Sequence, residues 1–139
     1  MTLRFLLDTT IVSVPIAKQP DRRVLRKLQQ HGIYCAVAAP VWHELVCGCH
    51  RLPLGKRRAA LEDYLYKVVQ PSFPVLAYDE EAAAWHGRER ARLEGSGKIA
   101  PFVDGQIAAI ARSKSLTLVT TNAKHFESFE GLQVVDWTG

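Results

Sequence analysis

Leu3-Arg4-Phe5-Leu6-Leu7-Asp8-Thr9-Thr10 is a short apolar run that stops on a carboxylate. A continuous apolar stretch of this length suits a strand buried on both faces in the middle of a parallel sheet. A strand is therefore expected over residues 3–7, with Asp8 at the point where it emerges. In an open α/β sheet, the crevice beyond the carboxyl ends of the strands is the usual place for a site. Asp8 has two readings at this stage. It is an N-cap for the segment that follows, helped by Thr9 and Thr10, or it is a functional carboxylate.

Working outward, Asp21 predicts an N-cap for a helix through Gln30, with Val24, Leu25 and Leu28 as its apolar stripe and Gly32 as its stop. Residues 33–37 read as a second buried strand. Pro40 suits the first turn of a helix reaching about His50. Beyond Leu52-Pro53-Leu54-Gly55, a third helix carries Leu61, Leu65 and Val68 at helical spacing, and Pro71 and Pro74 end it. Residues 75–77 are a third strand candidate. Asp79 then caps a long helix to Glu94, Gly95-Ser96-Gly97-Lys98 forms a loop, and Pro101 leads a helix over 103–113. Residues 116–120 make the clearest β-branched strand, followed by a helical turn over 122–126 and a last strand over 132–135. Strands that alternate with helices predict an α/β fold with a mainly parallel central sheet flanked by helices. No repeat or long linker divides the chain, so residues 1–139 are expected to form one domain.

The charge balance is more informative than the bulk composition. The 139 residues carry a net charge of +4, from 18 Lys and Arg against 14 Asp and Glu. With Asp8, Glu44 and Asp104 set aside in one site, eleven acids face eighteen basic residues, an excess of about seven. A basic surface around an acidic pocket points to a polyanion held by its phosphates. Three cysteines, an odd number, argue against a disulfide framework and fit a reducing compartment. No apolar run approaches the roughly 20 residues of a membrane span, and the start lacks the pattern of a signal peptide. The expected location is the cytoplasm.

Two further acids fall on apolar faces. In the helix from Pro40 the core-facing positions read as Val41, Leu45, Gly48 and Leu52, and Glu44 shares that stripe. A carboxylate on the buried side of a helix is costly unless it is paired. Glu44 is thus either half of a buried salt bridge, with an Arg or with His43, or part of a site. Asp104 begins the face formed by Ile107, Ala108 and Ala111. It is either a first-turn acid complementing the helix dipole or a second site carboxylate. Gly105 beside it allows another group close to the backbone. If the three acids converge, their repulsion requires a cation, and hard oxygen ligands select Mg²⁺ or Mn²⁺ over zinc. Such an ion supplies an activated water and stabilises a phosphate under attack.

At these residues the chain resembles the PIN-domain ribonucleases, and among them the VapC-type toxins. Leu6-Leu7-Asp8-Thr9-Thr10-Ile11-Val12-Ser13 is similar to their first acidic motif, and Trp42-His43-Glu44-Leu45-Val46-Cys47-Gly48 to the second. Leu52-Pro53-Leu54-Gly55-Lys56-Arg57-Arg58 matches a stretch that often follows. Phe102-Val103-Asp104-Gly105-Gln106-Ile107-Ala108-Ala109 resembles the third, and residues 118–126 with Val135-Asp136-Trp137 resemble the family's end. The resemblance implies a PIN-like three-layer α/β/α enzyme that cuts RNA, transfer RNA among the favoured substrates, using Mg²⁺ or Mn²⁺. It also implies a homodimer silenced by a cognate antitoxin. Asp8, Glu44 and Asp104 carry over as catalytic and metal-holding residues, with Thr9, Thr120 and Asn122 as supports. Two positions depart from the pattern. Thr10 replaces an Asn, keeping a hydroxyl for Asp8 or a bound water. Asn122 and His125 stand where a fourth acid is often found, which questions a second metal.

Other features have plainer readings. Cys47, Cys49, His43 and His50 invite zinc, yet residues i and i+2 of a helix diverge by about 200° under the 3.6-residue period, so the two thiols point apart. The basic groups Arg22-Arg23-Arg26-Lys27, Arg51-Lys56-Arg57-Arg58 and Arg88-Arg90-Arg92 read as solvated helix faces or as RNA contacts, and Arg88 and Arg92 bracket Glu89 as pairing partners. Tyr64, Tyr66 and Trp85 read as core or interface aromatics before base-stacking ones. The rival to a nuclease is a non-catalytic nucleotide- or RNA-binding α/β module. It lacks a Gly-rich phosphate loop after the first strand. A phosphoacceptor domain would place its acids on loops after strands, and Glu44 and Asp104 read as helix-borne.

Overall fold

Leu6 and Leu7 are fully buried in β1 (Phe5–Leu7), which pairs in parallel with a strand on each side. One neighbour is β2 (Cys35–Ala38), buried along its whole length, and the other is β4 (Thr117–Val119). The edges are β3 (Val75–Leu76) beside β2 and β5 (Val134–Val135) beside β4. The computed structural model describes residues 2–138, so Met1 and Gly139, at the ends of the expected domain, lie outside the described residues. The sheet is five-stranded and all parallel, in the order β3-β2-β1-β4-β5. The apolar run at the N-terminus is therefore the central strand, which is why it alternates with nothing polar.

The helices follow their local signals closely. After α1 (Thr9–Val12), the Asp21 carboxylate caps α2 (Arg22–His31) by accepting from the backbone N–H groups of Arg23 and Val24 at 2.8 and 3.2 Å. Pro40 sits in the first turn of α3 (Ala39–Arg51), where its missing N–H costs nothing. Asp79 caps α6 (Glu80–Gly95) through the Ala82 N–H at 2.9 Å, and Pro101 precedes α7 (Phe102–Ser113). Between these, α4 (Lys56–Asp63) continues through a π-wound stretch, Tyr64–Val69, into the short α5 (Gln70–Ser72). The expectation that Pro71 ends this helix does not hold. A Pro in a regular helix loses an N–H bond and clashes with the carbonyl four residues back, and the wider turn ahead of it relieves that crowding. Leu65 and Val69 are buried there, and Val68 is 48% exposed rather than on the expected stripe.

Sheet order and handedness together place the site. Chain progression runs from β1 outward to β3, then returns to β4 on the other side of β1. Right-handed crossovers then put the helices before β3 and those after it on opposite faces, in three α/β/α layers. The order reverses between β1 and β4, and in sheets of this kind the crevice at that reversal receives ligands. Helices α6 and α7 carry the chain back across the sheet and pack on each other. Among the described residues no helix is long and apolar enough to cross a membrane.

Candidate active site

Asp8 lies at the reversal point. Its backbone N–H donates to the Val119 carbonyl at 2.9 Å, extending the β1–β4 pairing one residue past the strands. Its side chain is 8% exposed, and both carboxylate oxygens are held. Oδ1 accepts from the Thr9 N–H at 2.8 Å and Oδ2 from the Thr120 hydroxyl at 2.7 Å. Thr120 is fully buried, and its own oxygen accepts the Asn122 N–H at 3.0 Å. The cap reading of Asp8 holds: it caps α1 from the end of the central strand, at the sheet's reversal point.

Glu44 corrects an expectation. The buried stripe of α3 is Val41, Leu45 and Cys49, spaced by four, and Glu44 is exposed at its margin rather than on it. The anticipated salt bridge is absent: among the described residues neither Glu44, Asp8 nor Asp104 enters an ion pair. Instead the Thr9 hydroxyl donates to Glu44 Oε2 at 3.1 Å. Thr9 thus joins Asp8 through its backbone to Glu44 through its side chain.

Asp104 is partly buried in the first turn of α7. Its carboxyl is pushed above the ordinary carboxylate range mainly by burial, with repulsion from Asp8 and Glu44 adding to it and His125 pulling the other way. Three acids far apart in sequence thus share one electrostatic environment, faced by His125. Beside Asp104, a Cβ on Gly105 would collide with the His86 imidazole, so only glycine lets α7 pack this closely on α6. The sequence flagged Gly105 as a point of close approach but not the ring that approaches it. His86 shares its stripe with Ala82 and Leu93, but Glu89 interrupts that stripe, so the sequence left the ring unassigned.

The supporting residues divide into three kinds. Thr9 and Thr120 bond to the carboxylates directly. Asn122 acts through its backbone, and no side-chain bond from it is present among the described residues. Thr10 does not support Asp8; its hydroxyl accepts the Thr121 N–H at 3.3 Å and ties α1 to the segment after β4. The cysteines are free. Cys35 and Cys49 are buried, the former with its thiol pushed up to about 12 by desolvation, and Cys47 is half-buried. Tyr64 donates to the Val12 carbonyl at 2.6 Å and Trp85 packs near Phe129, so both are core aromatics; Tyr66 is 44% exposed.

The carboxylates suit a hard divalent cation. Asp8, Glu44 and Asp104 offer only oxygens and enter no ion pair among the described residues, and His125 is the basic group that acts on Asp104. Among the described residues no three His, Cys, Asp or Glu side chains close up into a ready metal cage. An ion of the Mg²⁺ type keeps several waters and takes only one or two carboxylates directly. Zinc, which needs closed nitrogen or sulfur ligands, does not fit.

An all-parallel α/β/α sheet with Asp8 at its reversal point, tied through Thr9 to Glu44 and acting on Asp104, defines the class of domain. The chain matches the PIN domain family over residues 5–132 and belongs to it. It is 33% identical over 138 residues to the tRNA(fMet)-specific endonuclease VapC of Shigella flexneri, covering 98% of this chain and 99% of that one. Among solved structures, the FitAcB crystal structure from Neisseria gonorrhoeae superposes with a TM-score of 0.88 at 31% identity, covering 96% of this chain and 97% of that one. The DNA-bound VapBC of Salmonella typhimurium gives 0.83 at 27% identity, covering 98% and 99%. The PIN-like fold expected from the motifs is the fold observed.

Proposed function

We propose that this protein is an endoribonuclease dependent on Mg²⁺ or Mn²⁺, acting as the toxin of a toxin–antitoxin pair. What supports the reading is that Asp8 lies at the sheet's reversal point, that Thr9 links it to Glu44, and that Asp104 is acted on by both charges, in a PIN-family chain. Asp8 and Asp104 are the residues that would hold the ion, with Glu44 completing its surroundings or orienting the attacking water. When bound, the ion supplies Lewis-acid stabilisation of the phosphodiester and a water of lowered pKa. Thr120 and the Thr9 N–H fix the Asp8 carboxylate in one orientation, so no reorganisation is needed as charge develops. Thr9 does the same for Glu44. RNA, transfer RNA among the candidates, is the substrate class that the ribonuclease relatives support.

The same reading includes a cognate antitoxin, since the neighbouring solved structures are toxin–antitoxin complexes, and a cytoplasmic location. It also includes a homodimer. Tyr66, 44% exposed, packs edge-on to Trp42 at 5.5 Å and presents an apolar surface on the π-wound stretch. The test is RNA cleavage by purified protein with Mg²⁺ or Mn²⁺ beside an EDTA control, with folded Asp8→Asn and Asp104→Asn in the same gel. Cleavage that requires the ion and disappears in both variants is expected. A protein that neither binds the ion nor changes on loss of either acid would be a binding module instead.

A further inference from the structure

The helix that carries Glu44 also carries an arginine that no carboxylate engages. The buried stripe of α3 is Val41, Leu45 and Cys49, whereas Glu44, Gly48 and Arg51 are all exposed. At 3.6 residues per turn, positions seven apart fall within about 20° of each other and about 10.5 Å along the axis. Glu44 and Arg51 therefore share one outward face. Gly48 lies between them on that face, and a Cβ added there would meet no atom within 4 Å. The face is thus a bare strip, open to solvent, with a carboxylate near one end and a guanidinium at the other.

More positive charge gathers at the guanidinium end. The Arg58 guanidinium bonds to His50 Nδ1 at 2.8 Å, and its carbonyl accepts from the Cys49 thiol at 3.8 Å. The first turn of α4 is therefore seated on the last turn of α3, which brings Lys56 and Arg57 to the Arg51 end of the strip. Arg58 pairs with Glu62, but Arg51, Lys56 and Arg57 are exposed and enter no ion pair among the described residues. No acid occurs in the sequence between Glu44 and Glu62. The basic group on α6 differs, since Arg90 pairs with Glu94 and Arg92 with Glu89. Free cations set side by side hold phosphates. An acidic protein segment has no use for the Glu44 end of such a strip, whereas an RNA strand under attack must place one phosphate there.

We propose that this strip is the path of the RNA backbone on one side of the cut, with Arg51, Lys56 and Arg57 holding its phosphates and Gly48 leaving the strand room to pass. The inference rests on the ribonuclease reading and adds to it the direction in which the substrate leaves the carboxylates.

The test measures binding without cleavage. Fluorescence anisotropy of a labelled single-stranded RNA of mixed sequence is read in EDTA over a series of KCl concentrations. Wild type is compared with Arg51→Gln, with the triple variant Arg51→Gln, Lys56→Gln, Arg57→Gln, and with Arg26→Gln, Lys27→Gln on α2 as a charge control. Each is checked for folding by circular dichroism. Each phosphate contact on a single strand adds roughly 0.7 to the slope of log affinity against log salt, so Arg51→Gln should reduce that slope by about 0.7 and the triple variant by about 2. The α2 pair should change it by less than one contact. Gly48→Ala and Gly48→Glu separate the path from the charge. Both replace an exposed helical glycine and should melt no lower than wild type. Gly48→Ala is expected to keep its RNA affinity and Gly48→Glu to lose it roughly fivefold or more, the Coulomb cost of a carboxylate about 4 Å from a phosphate in water. Salt-independent binding by wild type, an unchanged slope in the triple variant, as large a loss in the α2 pair, or unchanged affinity in Gly48→Glu overturns the proposal. So does a triple variant that keeps its RNA slope and no longer co-purifies with the cognate antitoxin, which would assign the patch to that protein. Cleavage by Asp104→Asn, assayed separately with Mn²⁺, bears on the ribonuclease reading alone.

Discussion

Thr120 donates its hydroxyl proton to Asp8 and accepts one from the Asn122 backbone, so a valine of the same shape removes two bonds and little volume. Groups that orient a metal-holding carboxylate are worth roughly 10–100-fold in affinity or activity. Thr120→Val should lose about that much in Mn²⁺ affinity, read by calorimetry, and in RNA cleavage, whereas Thr120→Ser keeps both. Asp104 makes the opposite kind of prediction. Its native carboxyl binds a proton more tightly than the unfolded chain does, because burial, Asp8 and Glu44 disfavour the charge. The neutral form's contribution to stability is present below the unfolded value and is lost as pH rises through the raised native one. In EDTA at neutral pH, Asp104→Asn is therefore expected to melt higher than wild type, with the gain shrinking toward acid, while cleavage is abolished. A variant that melts lower would show that the three acids do not repel one another.

At the scale of elements, the junction of α6 and α7 is the place where a single atom matters most. Adding a methyl group at Gly105 drives it into the His86 ring, and overpacking of this sort costs about 1–3 kcal/mol. Gly105→Ala should lower stability by that amount in urea denaturation. The same change in a His86→Ala background should cost much less, and equal costs in both would mean that the ring is not the obstacle. Elements whose ends are marked by local chemistry were legible in the sequence. Asp21, Pro40, Asp79 and Pro101 each announce a helix start by a bond or ring constraint spanning a few residues. The stripe of α3 was misjudged because a 3.6-residue period fits Gly48 and Leu52 as well as the observed Cys49. Val68 was misplaced for a different reason. No composition signal announces a π turn, and the spacing rule assumes a regular helix. Of the site, the three acids were legible as oddities of pattern. The hydroxyls that hold them were named without their bonds, since those bonds join strand ends that only the sheet order brings together.

For the whole molecule, the apolar face around Tyr66 is the surface that most needs an explanation, since isolated apolar residues are ordinary but adjoining ones mark contacts. If it closes a homodimer, Tyr66→Asp should shift the protein to monomer in sedimentation velocity without lowering its helix content; an unchanged wild-type monomer would assign that face another role. The sheet order has a consequence for the birth of the protein. Asp8 and the hydroxyl that orients it are separated by 112 residues of chain. At a ribosomal speed of roughly 5–20 residues per second, about 6 to 22 s pass between the synthesis of the one and of the other. Throughout that interval the growing chain carries its first acid but neither Asp104 in place nor β4 beside it. A nuclease that would attack RNA is thus unarmed while its own message is being read, and it acquires its cutting edge only when the last strands join the sheet.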